Sequence, residues 1–116
     1  MIQFELDCVP PSLNSMYRKF RNRVVLSQQA KDFKQLIADS VSDNFTGLSG
    51  KLHLQVTFMF ADNRKRDIDN YLKVLLDAMK GILFQDDDQI FSMQVTKHIG
   101  CESPKTSITI TTTDIH

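Results

Sequence analysis

The sequence lacks the long apolar segments that membrane and secreted proteins carry. No run of about 18 apolar residues is present, so no membrane span is expected. The first residues, MIQFELDCVPPSLN, carry acids where a signal peptide has a basic end and an apolar run, so we expect a cytoplasmic protein without a membrane partner. The 116 residues, 41% of them hydrophobic, suit a single domain spanning residues 1–116.

Cysteine and histidine are also scarce. Cys8 and Cys101 are too few and too far apart for a zinc site or a disulfide framework, so we expect two reduced, mostly buried thiols. His53 and His98 lie in strand-like runs, and His116 is the last residue. We therefore expect all three histidines to be structural or surface residues.

The sequence has no excess of charge of either sign. Fourteen basic residues balance fourteen acidic ones, so the simplest compositional argument for nucleic-acid binding fails. Seven of the basic residues are nevertheless grouped in the segments RKFRNR and RKR. These seven are candidate contacts to a DNA backbone: Arg18, Lys19, Arg21, Arg23, Arg64, Lys65 and Arg66.

Hydrophobic periodicity predicts an α+β fold, with a mixed sheet of about four strands and two main helices. Alternating apolar residues predict strands near 2–8, 51–60, 90–99 and 106–113. Intervals of three and four predict one helix between Ser27 and Gly47 and another from Ile68 to Gly81. The segment MYRKFRNRVVLS is expected to form a short basic hairpin or loop. This order of elements suggests helices covering one face of the sheet.

The segment RDIDNYLKVLLDAMKGILFQDDDQI places acidic side chains around the second predicted helix. Asp67 and Asp69 are two residues apart, so they share a face only where the chain is extended, just before the helix. Asp69, Lys73 and Asp77 follow at intervals of four on the polar face of the helix. Carboxylates suit a hard cation such as Mg²⁺ or Mn²⁺, and a nearby lysine suits the charge of a phosphate.

A second acidic group, Asp86 to Asp88, follows this helix. A helix of about fourteen residues spans roughly 20 Å, so the helix itself separates this group from Asp67. The strand near 90–99 can bring the two groups together if it pairs beside the strand near 51–60, whose far end leads to Asp67.

Plainer explanations of these residues stay open on spacing alone. Asp67 or Asp69 can be a helix N-cap, the DDD run can be a solvated turn, and Lys73 can be a surface ion-pair partner. An EF-hand calcium loop is excluded, because the glycine and the remaining oxygen ligands are missing after Asp69.

Two segments, PPSLNSMYR and RKRDIDNYLKVLLDAMKGILFQDDDQI, resemble the RusA family of Holliday-junction resolvases, small endonucleases of bacteria and phages. The likeness spans most of the chain, and its most specific part is the pattern RDxDNxxKxxxDA…DDxQ. It implies a Mg²⁺-dependent endodeoxyribonuclease, with Mn²⁺ as a substitute, that resolves branched DNA as a homodimer in recombination and repair. Two equivalent sites suit the approximate two-fold symmetry of a four-way junction.

The resemblance also implies roles for individual residues. It implies Asp67, Asp69 and Asp87 as metal ligands and catalytic residues, together with an essential lysine at Lys73. Asp87 is selected because Phe84, Asp86, Asp87 and Gln89 fit the register of the family pattern. The residues that match the pattern beside these ligands are expected to support them: Asn70, Asp77 and Asp86.

Three other functions remain open from the sequence. The chain can be a metal nuclease for flaps, forks or other branched DNA, a junction-binding module without catalysis, or a structural interaction domain with a solvated acidic face. The presence of every expected acid and of the lysine argues against the inactive module. The cleavage-site preference, the number of metals and the dimer surface are not revealed by the sequence.

Overall fold

The computed structural model describes residues 1–15, 17–21, 23–42 and 45–113. The chain forms the strands and helices β1 (Ile2–Leu6), β2 (Tyr17–Phe20), β3 (Arg23–Leu26), α1 (Gln28–Asp39), β4 (Leu52–Met59), α2 (Ile68–Met79), β5 (Ile90–His98) and β6 (Lys105–Thr112). Short 3₁₀ helices cover Leu13–Ser15 and Asp87–Gln89. His116 lies outside the described residues.

The main sheet has four strands in the order β1-β6-β4-β5. β6 pairs antiparallel with both β1 and β4, whereas β4 and β5 are parallel. Parallel neighbours need a crossover connection, and α2 provides it between β4 and β5. The predicted α+β fold, with a mixed four-stranded sheet and two helices, is therefore confirmed.

The core lies between one face of this sheet and the two helices. Every second residue of β4 is buried: Leu52, Leu54, Val56 and Phe58. Against them pack Ala30, Phe33 and Ile37 of α1 and Val74, Leu75, Ala78 and Met79 of α2. Each large apolar side chain that is fully buried contributes about 1.5–3 kcal/mol, so this layer supplies most of the stabilisation. None of the helices in the described ranges is long and apolar enough to span a membrane.

The ends of the helices follow from local hydrogen bonds. Ser27 caps α1 as predicted, since its Oγ accepts a hydrogen bond from the amide of Ala30 at 3.2 Å. α1 ends at Asp39, earlier than the predicted limit at Gly47; its C-cap, Ser40, donates back to carbonyls of the last turn through its amide and its hydroxyl. At the other helix, Lys34 donates to the carbonyl of Lys80 at 3.0 Å, which ties the end of α2 to α1.

The direction of β5 corrects one expectation. β5 pairs beside β4 as expected, with Leu52 opposite Ile90 and Met59 opposite His98. Asp87 precedes the start of β5, whereas Asp67 follows the end of β4, so they lie at opposite ends of the sheet. α2 returns the chain to the end of the sheet at which β4 begins, and Asp87 lies there. From that end β5 runs parallel to β4, toward the opposite end of the sheet, at which Asp67 lies. The two acidic groups are thus not brought together within one chain.

Candidate metal and DNA site

Asp67 occupies the N-cap position of α2 but does not cap it. Its backbone is extended, with φ −90° and ψ 127°, and its side chain makes no capping hydrogen bond. Asp69 lies in the first turn of the helix, and both side chains are exposed. Neither carboxylate has a hydrogen bond or an ion pair with the residues that the structure describes. The plainer explanation of Asp67 as a capping side chain is therefore not supported, and two adjacent carboxylates are available to a ligand.

The backbone before Asp67 is fixed by Arg66. Its guanidinium donates to both carboxylate oxygens of Asp62, at 2.7 and 3.0 Å, and lies 4.5 Å from the ring centroid of Phe60. These bonds hold the pKa of Asp62 well below its usual range and raise the pKa of Arg66. In addition, Lys97 in β5 donates to the carbonyl of Arg66 at 2.7 Å. The loop that delivers Asp67 is thus attached to the sheet at two points.

The three basic residues of the RKR segment differ in their surroundings. The side chain of Arg66 is only 11% exposed and is already engaged by Asp62, so its position suits holding the loop rather than contacting DNA. Arg64 and Lys65 are exposed, although Arg64 Nε also lies 3.3 Å from Asp62. Arg64 and Lys65 therefore remain the candidates for phosphate contacts in this segment.

Lys73 and Asp77 form an ion pair on the outer face of α2. Their side-chain atoms are 3.3 Å apart, and the side chain of Lys73 is 55% exposed. Such a pair contributes little stability, about 0.3–0.5 kcal/mol. The ion pair nevertheless holds the ammonium of Lys73 one helical turn beyond Asp69. At that position the ammonium would contact a phosphate bound near the carboxylates. Asn70 is half-buried in the first turn beside Asp69.

The DDxQ part of the sequence forms a turn that Gln89 holds in place. The Gln89 side-chain oxygen accepts from the amides of Gln85 and Asp86, at 2.8 and 3.1 Å. The Gln89 side-chain nitrogen donates to the carbonyls of Leu48 and Gly50, both at 3.1 Å. The turn is thereby attached to the chain just before β4. Sequence reasoning used Gln89 only to set the register and missed this role.

The three consecutive acids of this turn have different environments. Asp86 accepts a hydrogen bond from the amide of Asp88 at 3.4 Å and lies 3.9 Å from the ammonium of Lys80. Asp87 Oδ1, in contrast, is buried and has no hydrogen-bond partner within the part of the chain that the structure describes. Buried polar atoms without a partner are rare and costly, so this oxygen is suited to a partner that the single chain does not supply. Among the three acids, the geometry distinguishes Asp87.

A single chain does not assemble a complete metal site from its described residues. Within residues 1–15, 17–21, 23–42 and 45–113, no group of three or more His, Cys, Asp or Glu side chains could hold a metal ion. Asp67 and Asp69 lie together at one end of α2, while Asp87 lies beyond its other end. The twelve residues of α2 span about 18 Å, too far for one cation to bridge.

The predicted basic hairpin forms from β2 and β3, which pair antiparallel with Phe20 opposite Arg23. Arg21 and Arg23 are exposed. The backbones of Arg18 and Lys19 belong to β2, but their side chains lie outside the described residues, so their predicted DNA contacts stay predictions. Ser27 at the end of the hairpin donates to the carbonyl of Ser15 at 2.6 Å, which attaches the hairpin to the PPSLN segment.

The two motif segments of the sequence meet at a surface depression of about 680 Å³. The PPS segment lines one side of it with Pro10, Pro11 and Ser12. Arg64, Arg66 and Tyr71, which flank Asp67 and Asp69 in sequence, line the other. The depression therefore connects the PPSLN segment with the end of α2 that carries Asp67 and Asp69.

The chain matches a family model and several curated relatives. Residues 7–111 match the family model described as endodeoxyribonuclease RusA. The crossover junction endodeoxyribonuclease rusA of Enterobacteria phage HK97 is 36% identical, over 71% of this chain and 70% of the relative. The enzymes of the same name from Enterobacteria phage 82 and Escherichia coli K12 are each 29% identical, over 88% of both chains. On this match, the chain belongs to the RusA family of endodeoxyribonucleases.

Proposed function

We propose that this protein resolves Holliday junctions by Mg²⁺-dependent, paired and symmetric hydrolysis of phosphodiester bonds, as a homodimer acting in recombination and repair. The main support is the pair of carboxylates, Asp67 and Asp69, at the start of α2 in a chain of this family; neither has a partner among the residues that the structure describes. The phage and bacterial sources of its relatives fit a place of action in the bacterial cytoplasm.

The available oxygens fit a hard divalent cation. Asp67 and Asp69 offer exposed carboxylates, and Asp87 offers a buried oxygen that has no hydrogen-bond partner among the described residues. Carboxylate oxygens are preferred ligands of Mg²⁺ and Mn²⁺. When bound, such a cation would polarise a phosphoryl oxygen and stabilise the departing oxygen. Because Asp87 lies at the far end of the sheet, we propose that the third ligand comes from the second chain of a dimer.

The remaining residues would bind and orient the DNA. Lys73, held by Asp77, would place its positive charge against the phosphate at which negative charge develops. Arg66 would keep Asp67 in position through Asp62 and Lys97. The flanking DNA backbone would be held by the predicted contacts at Arg18 and Lys19 and by four exposed basic residues. These are Arg21, Arg23, Arg64 and Lys65.

A homodimer supports this function in two ways. A four-way junction has approximate two-fold symmetry, so paired cuts need two equivalent sites related by the same symmetry. A dimer also allows Asp87 of one chain to reach the carboxylates of the other. Two complete sites would then form from two chains, each of which is incomplete on its own.

Cleavage of labelled DNA tests the function directly. We expect the protein to cut a synthetic four-way junction at paired positions when Mg²⁺ is present and to leave it intact in EDTA. Linear duplex, flap and fork substrates of the same sequence serve as controls. Faster cutting of flaps or forks than of the junction would show a different branched-DNA nuclease, and binding without cutting under all conditions would show a junction-binding module.

A further inference from the structure

We propose that the depression between the PPS segment and α1 accepts one unpaired nucleobase from the centre of branched DNA, beside the phosphodiester bond that is cut. This role deepens the proposed function and rests on it, because the DNA is the branched substrate proposed there. The binding of the base can nevertheless be measured without metal and without cleavage.

One face of α1 forms a wall of this depression. Its lining residues recur at intervals of three and four along the helix: Gln29, Asp32, Phe33 and Leu36. Phe33 is buried in the core, whereas Leu36 is 39% exposed although its side chain is large and apolar. Pro11, which is half-buried, continues the apolar surface on the PPS segment. The wall therefore offers an occupant apolar surface that the core of the chain does not use.

The remaining part of the lining is held beside the two carboxylates. The ring of Tyr71 packs edge-on against Phe60, with the ring centroids 5.1 Å apart. The guanidinium of Arg66 lies 4.5 Å from the centroid of the same phenylalanine ring. Arg66 directly precedes Asp67 in the chain, and Tyr71 follows Asp67 by four residues. An occupant of the depression therefore lies next to the acids at which the metal and the reacting phosphate are proposed to bind.

The chemistry and size of the depression fit a nucleobase. A base has two flat apolar faces and an edge of hydrogen-bond donors and acceptors. Leu36 and Tyr71 supply apolar and aromatic surface, and the exposed amide of Gln29 supplies both a donor and an acceptor. Asp32 accepts from Gln28 Nε2 at 2.7 Å through one oxygen, and its second oxygen can accept from the amino group of a base. The volume of about 680 Å³ lies within the range of roughly 300–1,000 Å³ that is usual for small-molecule sites.

Positive charge at the rim of the depression suits the phosphates on either side of a bound base. Arg64 belongs to the lining, and its side chain is 77% exposed. Lys65, the next residue, is also exposed. Cationic side chains hold the DNA backbone without reading its sequence. An apolar wall with a cationic rim matches a base attached to a sugar–phosphate backbone better than it matches an apolar protein segment.

A base held in the depression selects branched DNA over linear duplex. In a continuous duplex each base is paired and is stacked on both sides, so its extraction is costly. Bases at the centre of a four-way junction lie at the ends of the stacked arms, and a base that is not fully paired and stacked is extracted at lower cost. Both kinds of DNA carry the same backbone charge, so the difference in binding comes from the base.

A thermodynamic cycle between the protein and the DNA tests the base site. Junctions with one abasic residue at successive positions around the crossover are bound in EDTA, and the dissociation constant is measured by fluorescence anisotropy. We expect one position at which the abasic residue weakens wild-type binding at least about fivefold, as the loss of one stacked base does. Leu36→Trp, which fills the depression, should weaken binding of the intact junction similarly, show no further loss with that abasic junction, and bind linear duplex normally.

Two further variants accompany this measurement. Gln35→Trp is the matched control, because Gln35 is also exposed on α1 but lies outside the lining of the depression. It should bind the intact and the abasic junctions as the wild type does. Gln29→Ala leaves the depression open and removes only the amide, so it should weaken binding less than Leu36→Trp, and only for the junction that carries the base. Circular dichroism melting checks that each variant is folded.

Wild-type affinity that is unchanged at every abasic position would overturn the base site. Losses from Leu36→Trp and from the abasic residue that multiply would overturn it as well. A folded Leu36→Trp protein with altered sedimentation and normal DNA binding would show that a protein segment occupies the depression instead. None of these results bears on whether the protein cuts junctions in Mg²⁺. Conversely, the predicted cycle in a protein that cuts no junction would leave the base site standing and contradict the proposed function.

Discussion

Arg66 and Asp62 form a bidentate ion pair, with nitrogen–oxygen distances of 2.7 and 3.0 Å. The two residues are four positions apart, in a loop without helical structure. The same guanidinium lies over the ring of Phe60, the residue that follows β4. This arrangement fixes the chain between the sheet and Asp67. The first carboxylate of the candidate site is thus positioned through Asp62 and Phe60, which precede the acidic motif and engage its first residue, Arg66.

We expect Asp62→Asn to impair cutting without abolishing junction binding, because it loosens the loop that positions Asp67. The pKa of Asp62 is depressed in the folded protein, so its ionised form stabilises folding above about pH 4, and this contribution is lost as the pH falls. The difference in melting temperature between the wild type and Asp62→Asn should therefore be present at pH 7 and shrink toward pH 2. A difference that stays constant over this range would contradict the role of the ion pair.

Asp69→Asn should reduce junction cutting at least a hundredfold while junction binding is kept or strengthened. The substitution removes a metal ligand and also a negative charge near the bound phosphate. Single-turnover cleavage and gel-shift binding of the same labelled junction measure the two effects. Asp88→Asn is the matched control, since Asp88 is also an exposed acid but is not assigned to the site. Normal cutting by Asp69→Asn would contradict the metal assignment.

Lys73→Ala should lower the cleavage rate much more than the affinity for the junction. Its ammonium is one helical turn from Asp69, where it can stabilise charge that grows during phosphodiester cleavage. Single-turnover rates at saturating enzyme separate rate from affinity. Lys31→Ala, which removes an exposed lysine from α1, should leave both unchanged. If Lys73→Ala cuts at the wild-type rate, Lys73 is only the ion-pair partner of Asp77.

Gln89→Ala should destabilise the fold by about 1–3 kcal/mol, because the four hydrogen bonds of the side chain each contribute about 0.5–1.5 kcal/mol and lie partly at the surface. It should also weaken cutting, since the turn that holds Asp87 is released from the chain before β4. Urea unfolding measures the first effect. Gln55→Ala, an exposed strand residue, provides the comparison and should cost less than about 0.5 kcal/mol.

The elements of the fold were predictable because their signals are local. The alternation of Leu52, Leu54, Val56 and Phe58 identified β4, and Ser27 identified the start of α1; the structure confirms both. The family and the enzyme class were likewise predicted from the long acidic pattern, and the comparisons confirm them. These features depend on residues close together in the chain.

The arrangement of the site was not predictable in the same way. The sequence indicated that β5 would lie beside β4 but did not give the direction, and the direction decides where Asp87 lies. A helix between two adjacent strands favours parallel pairing, and that rule could have shown that α2 separates the acids. Arg66 resembled a DNA contact because RKR is a basic run; Asp62, four residues earlier, was the signal of its internal role.

Each proposed metal site takes Asp67 and Asp69 from one chain and Asp87 from the other. Mixed dimers test this arrangement most directly. An Asp67→Asn chain and an Asp87→Asn chain are co-expressed with different tags and purified together. The mixed dimer is then assayed for nicking of a labelled four-way junction in Mg²⁺. We predict that each variant alone is inactive and that the mixed dimer nicks one strand, because one of its two sites keeps all three acids. Mixed dimers of Asp67→Asn and Asp69→Asn should stay inactive, since both of their sites are damaged. An inactive mixture of Asp67→Asn and Asp87→Asn, with mixed dimers present, would contradict the account.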